Sequence, residues 1–442
     1  MRLPRFALCT LVFFAGLCAT ALAAAQPATH TPAPTPDPLT LEQALDRAAR
    51  NRPELTAFGA DLDAAGLKLK HAGLPPNPEM GVEWDNLGGN LPDGDSRETT
   101  VSLSQPVEIG GKPLARKKKG QAEMLQLHSG RTVAWLDIAA EVRLAFLEVL
   151  NARERLALQA EAGKIAAQLA EITREQVAAG KIAGTEETRA EARKAETMAE
   201  TQKLKRLLAE AELNLAVVLG EPDSAGVTAK ERLTSEIPIP DQQTLLAAVK
   251  DAPLLALRRS ETRLAASNLS LEQTRAWPDP TVSVAVRDVP SEDARAVALG
   301  ISIPLPLFQR NQAAVAEAGA LARKAKANEA AAARSLQTEL IKAHTVLVAA
   351  DREARTLRTE VLTKATEAAE ATREGFRAGK FRYSDVLDAS QFLMTIKGRY
   401  LDALLDLNRA AIALDRLLGK PAIPGAGVSE KPAPSSLHRS TP

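Results

Sequence analysis

Apolar positions along the chain fall into two patterns, and the pair occurs twice in the same order. The first is strict alternation. Met80, Val82 and Trp84 interleave with Gly81, Glu83 and Asp85, and Val101 and Leu103 interleave with Thr100, Ser102 and Ser104. In the second half Val282, Val284 and Val286 alternate, followed by Val297, Leu299, Ile301 and Ile303 against Ala298, Gly300 and Ser302. A period of two predicts four strands, each with one apolar face. The polar stretches DNLGGNLPDGDSRE at 85–98 and RDVPSEDA at 287–294 lie between the members of each pair, so two hairpins are expected.

The second pattern is helical. Leu41 to Lys70 and 244–276 read as corresponding helices, one containing Arg52-Pro53-Glu54-Leu55 and the other Ala252-Pro253-Leu254-Leu255. After each hairpin a run without internal proline follows, from Lys112 to about Val177 and from Asn311 to about Phe376. At 1.5 Å per residue each could reach roughly 100 Å. Helices that long need lateral partners. Steps of three and four supply a seam: Trp135, Ile138, Val142, Ala145 and Val149 in one, and Val386, Ala389, Leu393, Ile396, Tyr400, Ala403, Leu407, Ala410, Leu414 and Leu417 in a return helix. Gly180 and Gly379 mark the turns into the return helices, which Leu219-Gly220 and Leu418-Gly419 close. The two tips, REQVAAGKIAGTEETRA at 174–190 and REGFRAGKFRYSDVLDA at 373–389, lie 199 positions apart and share Arg-Glu, Ala-Gly-Lys and a polar restart. The expected organisation is a leader at 1–23, a Pro/Thr-rich linker at 24–38, a first repeat at 39–220, a connector at 221–243, a second repeat at 244–419 and a disordered tail at 420–442. A helix-to-helix loop doubled by duplication would explain the tip spacing alone.

Composition sharpens this picture. Aromatics are only 3% of the 442 residues while hydrophobics are 45%, so Ala, Leu and Val must build the core, which suits closely packed helices. A quarter of the residues are charged with a net charge of +1, which leaves no basic field for a nucleic-acid partner. Arg2 and Arg5 precede an apolar run from Phe6 to Leu17, and Ala21-Leu22-Ala23 offers a signal-peptidase site, so export is expected. Cys9 and Cys18, the two cysteines, fall inside the leader; a lipid-anchored Cys18 is the competing processing. No later run reaches the 18 or so apolar residues of a membrane helix, so a membrane location requires a barrel. Four strands are too few to close one, because the smallest membrane barrels need about eight. Three copies would supply twelve strands and twelve long helices. A water-soluble sheet packed on the helices fits the alternation as well.

Enzyme chemistry is not expected. The five histidines, His30, His71, His128, His344 and His438, lie outside ligand spacing of one another, and Gly110-Gly111-Lys112 reads as a strand-to-helix turn rather than a phosphate loop. Neither a metal site nor a cofactor is anticipated.

From about 40 to 419 the chain resembles the TolC-like outer membrane factors of tripartite efflux pumps, with GKFRYSDVLDA at 379–389 similar to that family's tip motif. GLPPNPEMGVEWDN at 73–86 and SLSQPVEIGGKPLAR at 102–116 resemble its heavy-metal, CzcC-like branch. The resemblance implies an α+β membrane protein: a duplicated β-hairpin and long helical hairpin forming a homotrimer, with a 12-stranded β-barrel in outer membrane lipid continuing into a periplasmic α-helical barrel. It implies two protein partners, a proton-driven inner-membrane pump of the resistance-nodulation-division (RND) type and a periplasmic adaptor docking at Gly180, Lys181, Gly379 and Lys380. It also places Asp385 and Asp388 at the periplasmic constriction, with Glu186 the first-half equivalent of Asp385. A ring of carboxylates in a narrow pore favours cations; acidic residues in a helix's first turn also simply complement its dipole. The implied function is a passive exit duct for divalent metal cations such as cobalt, zinc and cadmium. Drug or solvent efflux and type I secretion use the same kind of duct. A periplasmic adaptor would show one helical hairpin without duplication, and a structural coiled coil would lack the one-sided strands.

Overall fold

A computed structural model describes residues 38–85, 98–222, 226–290 and 293–421. The expected leader, all of the linker but Pro38, most of the first hairpin turn and the tail beyond Pro421 lie outside the described residues. Helix α1, Leu41–Asn51, starts at Thr40, whose Oγ1 accepts from the Gln43 amide at 3.3 Å while the Gln43 side chain accepts from the Thr40 amide at 3.0 Å. The single helix expected from Leu41 to Lys70 is in fact two. Pro53 disfavours helical geometry at the preceding residue, so Arg52 is extended (φ −72°, ψ 119°) and α2, Pro53–His71, begins afresh. The second half breaks identically: α5, Gln242–Ala248, and a 3₁₀ turn end at extended Ala252, and α6, Pro253–Arg275, follows.

Strands β1, Glu79–Asp85, and β2, Glu98–Pro106, form the first hairpin; β3, Thr281–Val289, and β4, Ala294–Ser302, form the second. They are not independent: β2 pairs antiparallel with β3, giving one sheet in the order β1-β2-β3-β4. β3 runs three residues past the expected Val286, and β4 stops at Ser302 rather than Ile303 because β3 begins at Thr281, the partner of Ser302. The register places Met80, Leu103, Val284 and Leu299 in one cross-strand row and Val82, Val101, Val286 and Val297 in another. Both rows face outward, with Met80 75% and Leu299 80% exposed. The opposite face carries small or polar rows such as Gly81, Ser102, Ala285 and Ala298.

Below the sheet, α3, Lys112–Ala178, is continuous over 67 residues, and α4, Gly184–Val218, returns along it. The matching run in the second repeat is interrupted. Between α7, Gln312–Thr356, and α8, Leu362–Arg377, lies a π turn, Leu357–Val361, before α9, Tyr383–Leu418, returns. Neither proline nor glycine occurs in LRTEV to cause it; it sits where Arg358 donates to Ser235 of the connector at 3.1 Å. No helix among the described residues is long and apolar enough to cross a membrane.

Each repeat has its own apolar core. Trp135, Ile138, Val142 and Val149 of α3 pack with Ala44 and Leu45 of α1, Leu215 and Leu219 at the end of α4, and Val227 and Ala229 of the connector. Leu336, Leu340 and Leu347 of α7 pack with Leu255 of α6 and Ala403, Leu407 and Leu414 of α9. The connector is tied in by backbone bonds, Leu39 to Thr228 at 2.8 Å and Lys230 to Leu39 at 2.9 Å. The α3–α9 seam joining the repeats differs. A small cluster of Ala140, Leu147, Leu405 and Ile412 is flanked by five ion pairs: Asp137–Arg416 (2.6 Å), Arg143–Asp415 (2.8 Å), Glu161–Lys397 (2.6 Å), Glu148–Arg409 and Arg155–Asp402.

Candidate functional site at the helical tips

Both tips are built by one device. Gly180 donates its amide to Val177 and Lys181 to Gln176, each at 2.9 Å; at the other tip Gly379 donates to Phe376 at 2.9 Å and Lys380 to Gly375 at 2.7 Å. These paired bonds close a helix whose next residue is left-handed, and Gly180 and Gly379 have φ of 68° and 72°. A Cβ at either glycine would meet no atom within 4 Å, so glycine serves the backbone angle there and not a lack of space.

The expected site residues are distributed unevenly. Lys181, Glu186 and Gly379 come together in a groove between the tips, lined also by Phe381, Arg382 and Tyr383. Asp385 sits in the first turn of α9, where its Oδ2 accepts from the Arg382 amide at 2.8 Å. That carboxylate caps its own helix, which accounts for an acidic residue here on local grounds. Glu186 holds the equivalent place in α4, yet its carboxylate turns to Arg189 at 3.2 Å rather than back to the helix start. Asp388 is exposed one turn further on. Gly180, Lys380, Asp385 and Asp388 do not line the groove.

Sequence reasoning missed the aromatic centre of the site. Tyr383 and Phe376 are buried with ring centroids 6.4 Å apart and planes tilted by 60°, and they pack on Leu169 and Ala170 of α3, Ala190 of α4 and Val386 of α9. Elements of both repeats thus meet in one cluster. Burial raises the Tyr383 phenol above its ordinary range; the nearby Glu186 carboxylate adds to the rise and Arg193 opposes it. Phe381 lies where a Cβ on Gly375 would come within 2.2 Å of its ring, so glycine at 375 is what admits that aromatic. The available signal was asymmetry: 199 positions earlier, Val177, Ile182 and Gly184 stand where Phe376, Phe381 and Tyr383 do, in a chain with only two tyrosines.

A duplicated long helical hairpin, carried on a sheet with an outward apolar face, is the fold of TolC-like outer membrane channels. The structure of the outer membrane protein VceC from Vibrio cholerae superposes with a TM-score of 0.68 over 86% of this chain and 96% of that one, at 19% identity. The outer membrane efflux protein family profile matches residues 44–221 and 254–420, and the chain belongs to that family. Among curated relatives, the cobalt-zinc-cadmium resistance protein CzcC of Cupriavidus metallidurans is 33% identical over 385 residues, covering 87% of this chain and 90% of CzcC. The nickel and cobalt resistance protein CnrC of the same organism is 26% identical over 284 residues, 64% of this chain and 66% of CnrC.

Proposed function

We propose that this chain is the outer membrane exit duct of a three-part efflux system, that it works as a homotrimer, and that its cargo is divalent heavy-metal cations, cobalt, zinc and cadmium among them. The observation that carries the duct is the sheet: two edge strands without partners among the described residues, and one face of in-register apolar side chains open to the surroundings. Three copies placing β4 of one beside β1 of the next give twelve strands, cover every edge and turn the apolar rows toward lipid. The long helices of the two repeats, 39–220 and 244–419 about the connector 221–243, continue the wall into the periplasm. The likeness to CzcC, a cobalt-zinc-cadmium resistance protein by name, supports the cargo.

In this reading an inner-membrane RND pump supplies the driving force and a periplasmic adaptor grips the turns at Gly180, Lys181, Gly379 and Lys380. Asp385 and Asp388 on the second tip, with Glu186 on the first, supply carboxylates at the narrow end, where such rings favour cations. The protein's own work is to hold the tip closed alone and to open it when the adaptor engages. Deletion in the host, scored for growth on cobalt, zinc, cadmium, nickel and copper salts beside a panel of hydrophobic drugs, tests this. Sensitivity to metals, restored by a plasmid copy, is the expected result. Sensitivity confined to drugs keeps the duct and overturns the cargo.

A further inference from the structure

The two hairpins are copies in register as well as in order. Moving 202 positions on from β1 and 198 on from β2 converts the first set of pairs into the second: Glu79 with Ser104 becomes Thr281 with Ser302, and Val82 with Val101 becomes Val284 with Leu299. The junction between the hairpins is therefore a template. β2 runs two residues beyond Ser104, the last partner that β1 offers, because β3 holds Gln105 against Val282 and Pro106 against Thr281. The Val107 amide then donates to the Pro280 carbonyl at 2.8 Å. β4, the counterpart of β2, stops at Ser302, and the Leu305 amide, the counterpart of Val107, has no partner among the described residues. Shifted by the same intervals, the Gln105–Val282 pair becomes Ile303 with Met80, which no single copy can form because β1 and β4 are opposite edges of the sheet.

The flanking positions fit a second copy placed in that register. Ile301 falls opposite the partner's Val82 and Leu299 opposite the partner's Trp84 on the outward face, while Ser302 meets the partner's Gly81 and Gly300 the partner's Glu83 on the other. A slip of one residue would set the apolar side chains against glycine and glutamate. A slip of two keeps the faces matched but draws proline into the ladder. In one direction Pro304 falls opposite the partner's Gly81, and in the other the partner's Pro78 falls opposite Ile303; neither proline has an amide to donate. Followed round a ring, the row Glu79, Ser104, Ser283, Gly300 arrives at the partner's Glu83, an advance of four residues per copy. For twelve strands that advance corresponds to a tilt of roughly 35°, at the low end of the range of membrane barrels.

One fastening of the internal junction is not repeated. Lys112, the first residue of α3, donates to Asp279 at 2.6 Å. Their counterparts are Gln312, the first residue of α7, and Asn77, and Gln312 turns to its own loop, accepting from the Arg310 amide at 2.6 Å and donating to the Phe308 carbonyl at 3.1 Å.

We propose that β4 of one copy pairs antiparallel with β1 of the next in the register that sets Ile303 against the partner's Met80, with the Leu305 amide donating to the carbonyl of the partner's Pro78. Strand pairing holds this junction without the ion pair that bolts the two hairpins of one chain together. The inference rests on the duct reading, in which three copies close one ring.

The test places cysteine pairs in the full chain, oxidises them in the outer membrane of the host, and reads covalent dimers and trimers on a denaturing gel. Gly81→Cys with Ser302→Cys probes the register. Within one copy these positions lie three strand spacings apart, roughly 14 Å, so only a neighbour can join them. Covalent trimer is the expected product. Glu83→Cys with Ser302→Cys and Gly81→Cys with Gly300→Cys are displaced by two residues in either direction, where Cα atoms stand about 7–8 Å apart and a disulfide does not close. Both should remain monomeric on the gel. Ser104→Cys with Ser283→Cys, the counterpart pair inside the chain, should close without joining copies and shows that oxidation has worked. Ile303→Cys with Met80→Cys repeats the measurement on the outward face if the first pair disturbs folding. Trimer from a displaced pair instead overturns the register and leaves the duct standing. Closure of the internal pair with no joined copies from any other overturns the strand pairing between copies, and the closed ring of the duct with it.

Discussion

Tyr383 shows how one side chain can carry more than its position announces. Its phenol is held neutral by burial and by Glu186, so the folded state keeps a proton that the unfolded chain loses in the ordinary tyrosine range. Folding stability is therefore fully present below that range and declines as pH rises through it. Unfolding midpoints followed by helical signal should fall faster with alkaline pH in the parent protein than in Tyr383→Phe, and parallel curves would refute the assignment. Glu212 shifts in the same direction for the same leading reason: burial raises its carboxyl and Arg153 pulls it back, so the ionised form is disfavoured in the fold. At the turns, Gly379→Ala should cost about 1–2 kcal/mol through left-handed strain alone, measured by denaturant unfolding. Gly375→Ala carries no such strain, because Gly375 is helical; its cost comes from displacing the Phe381 ring and is offset by about 1 kcal/mol of helix propensity.

Among elements, seams within a repeat and between repeats rest on different physics. The α1–α3–α4 core buries Trp135 completely, so Trp135→Ala should destabilise by about 3–5 kcal/mol at any salt concentration. The α3–α9 seam depends on ion pairs that are mostly half-exposed, and such pairs contribute little individually. A double-mutant cycle on Arg143 and Asp415 should give a coupling of about 1 kcal/mol or less that shrinks as salt rises. A large, salt-insensitive coupling would contradict this account. The seam between repeats is thus the more yielding one, whereas the π turn at Leu357–Val361 packs inside the second repeat, on its α7–α9 core.

At the scale of the whole molecule, the outward rows of the sheet make sense only in a low-dielectric surrounding. Leu299→Arg should cost about 2–4 kcal/mol near the bilayer midplane and release the protein into carbonate washes. Ala298→Ser, one residue along on the opposite face, should leave extraction unchanged. Equal tolerance at both positions would place the sheet in water. The adaptor contact proposed above belongs to this scale too: if it is made at Gly379, Gly379→Trp should abolish metal resistance while the proposed trimer and membrane insertion persist, since open space surrounds that glycine within the chain.

Local patterns along the chain settled the elements and their order. Period-two and period-3.5 patterns, together with prolines and left-handed glycines, are local properties of the backbone. They place all four strands, the full length of α3, the seam from Trp135 to Val149 and the four glycine stops at Gly180, Gly220, Gly379 and Gly419. Even the breaks at Arg52 and Ala252 were written in Pro53 and Pro253, though the periodicity ran across them. What depends on residues far apart in the chain was settled by long-range packing. It joined the hairpins through β2 and β3, ended β4 at Ser302 because its partner begins at Thr281, and turned Glu186 toward Arg189 while Asp385 caps α9. It also brought Tyr383 and Phe376 onto Leu169 and Ala190, contacts spanning about half the chain that no local pattern encodes. Helix and strand follow from interactions a few residues long, whereas register, partner choice and burial are fixed only when distant segments compete for the same surface.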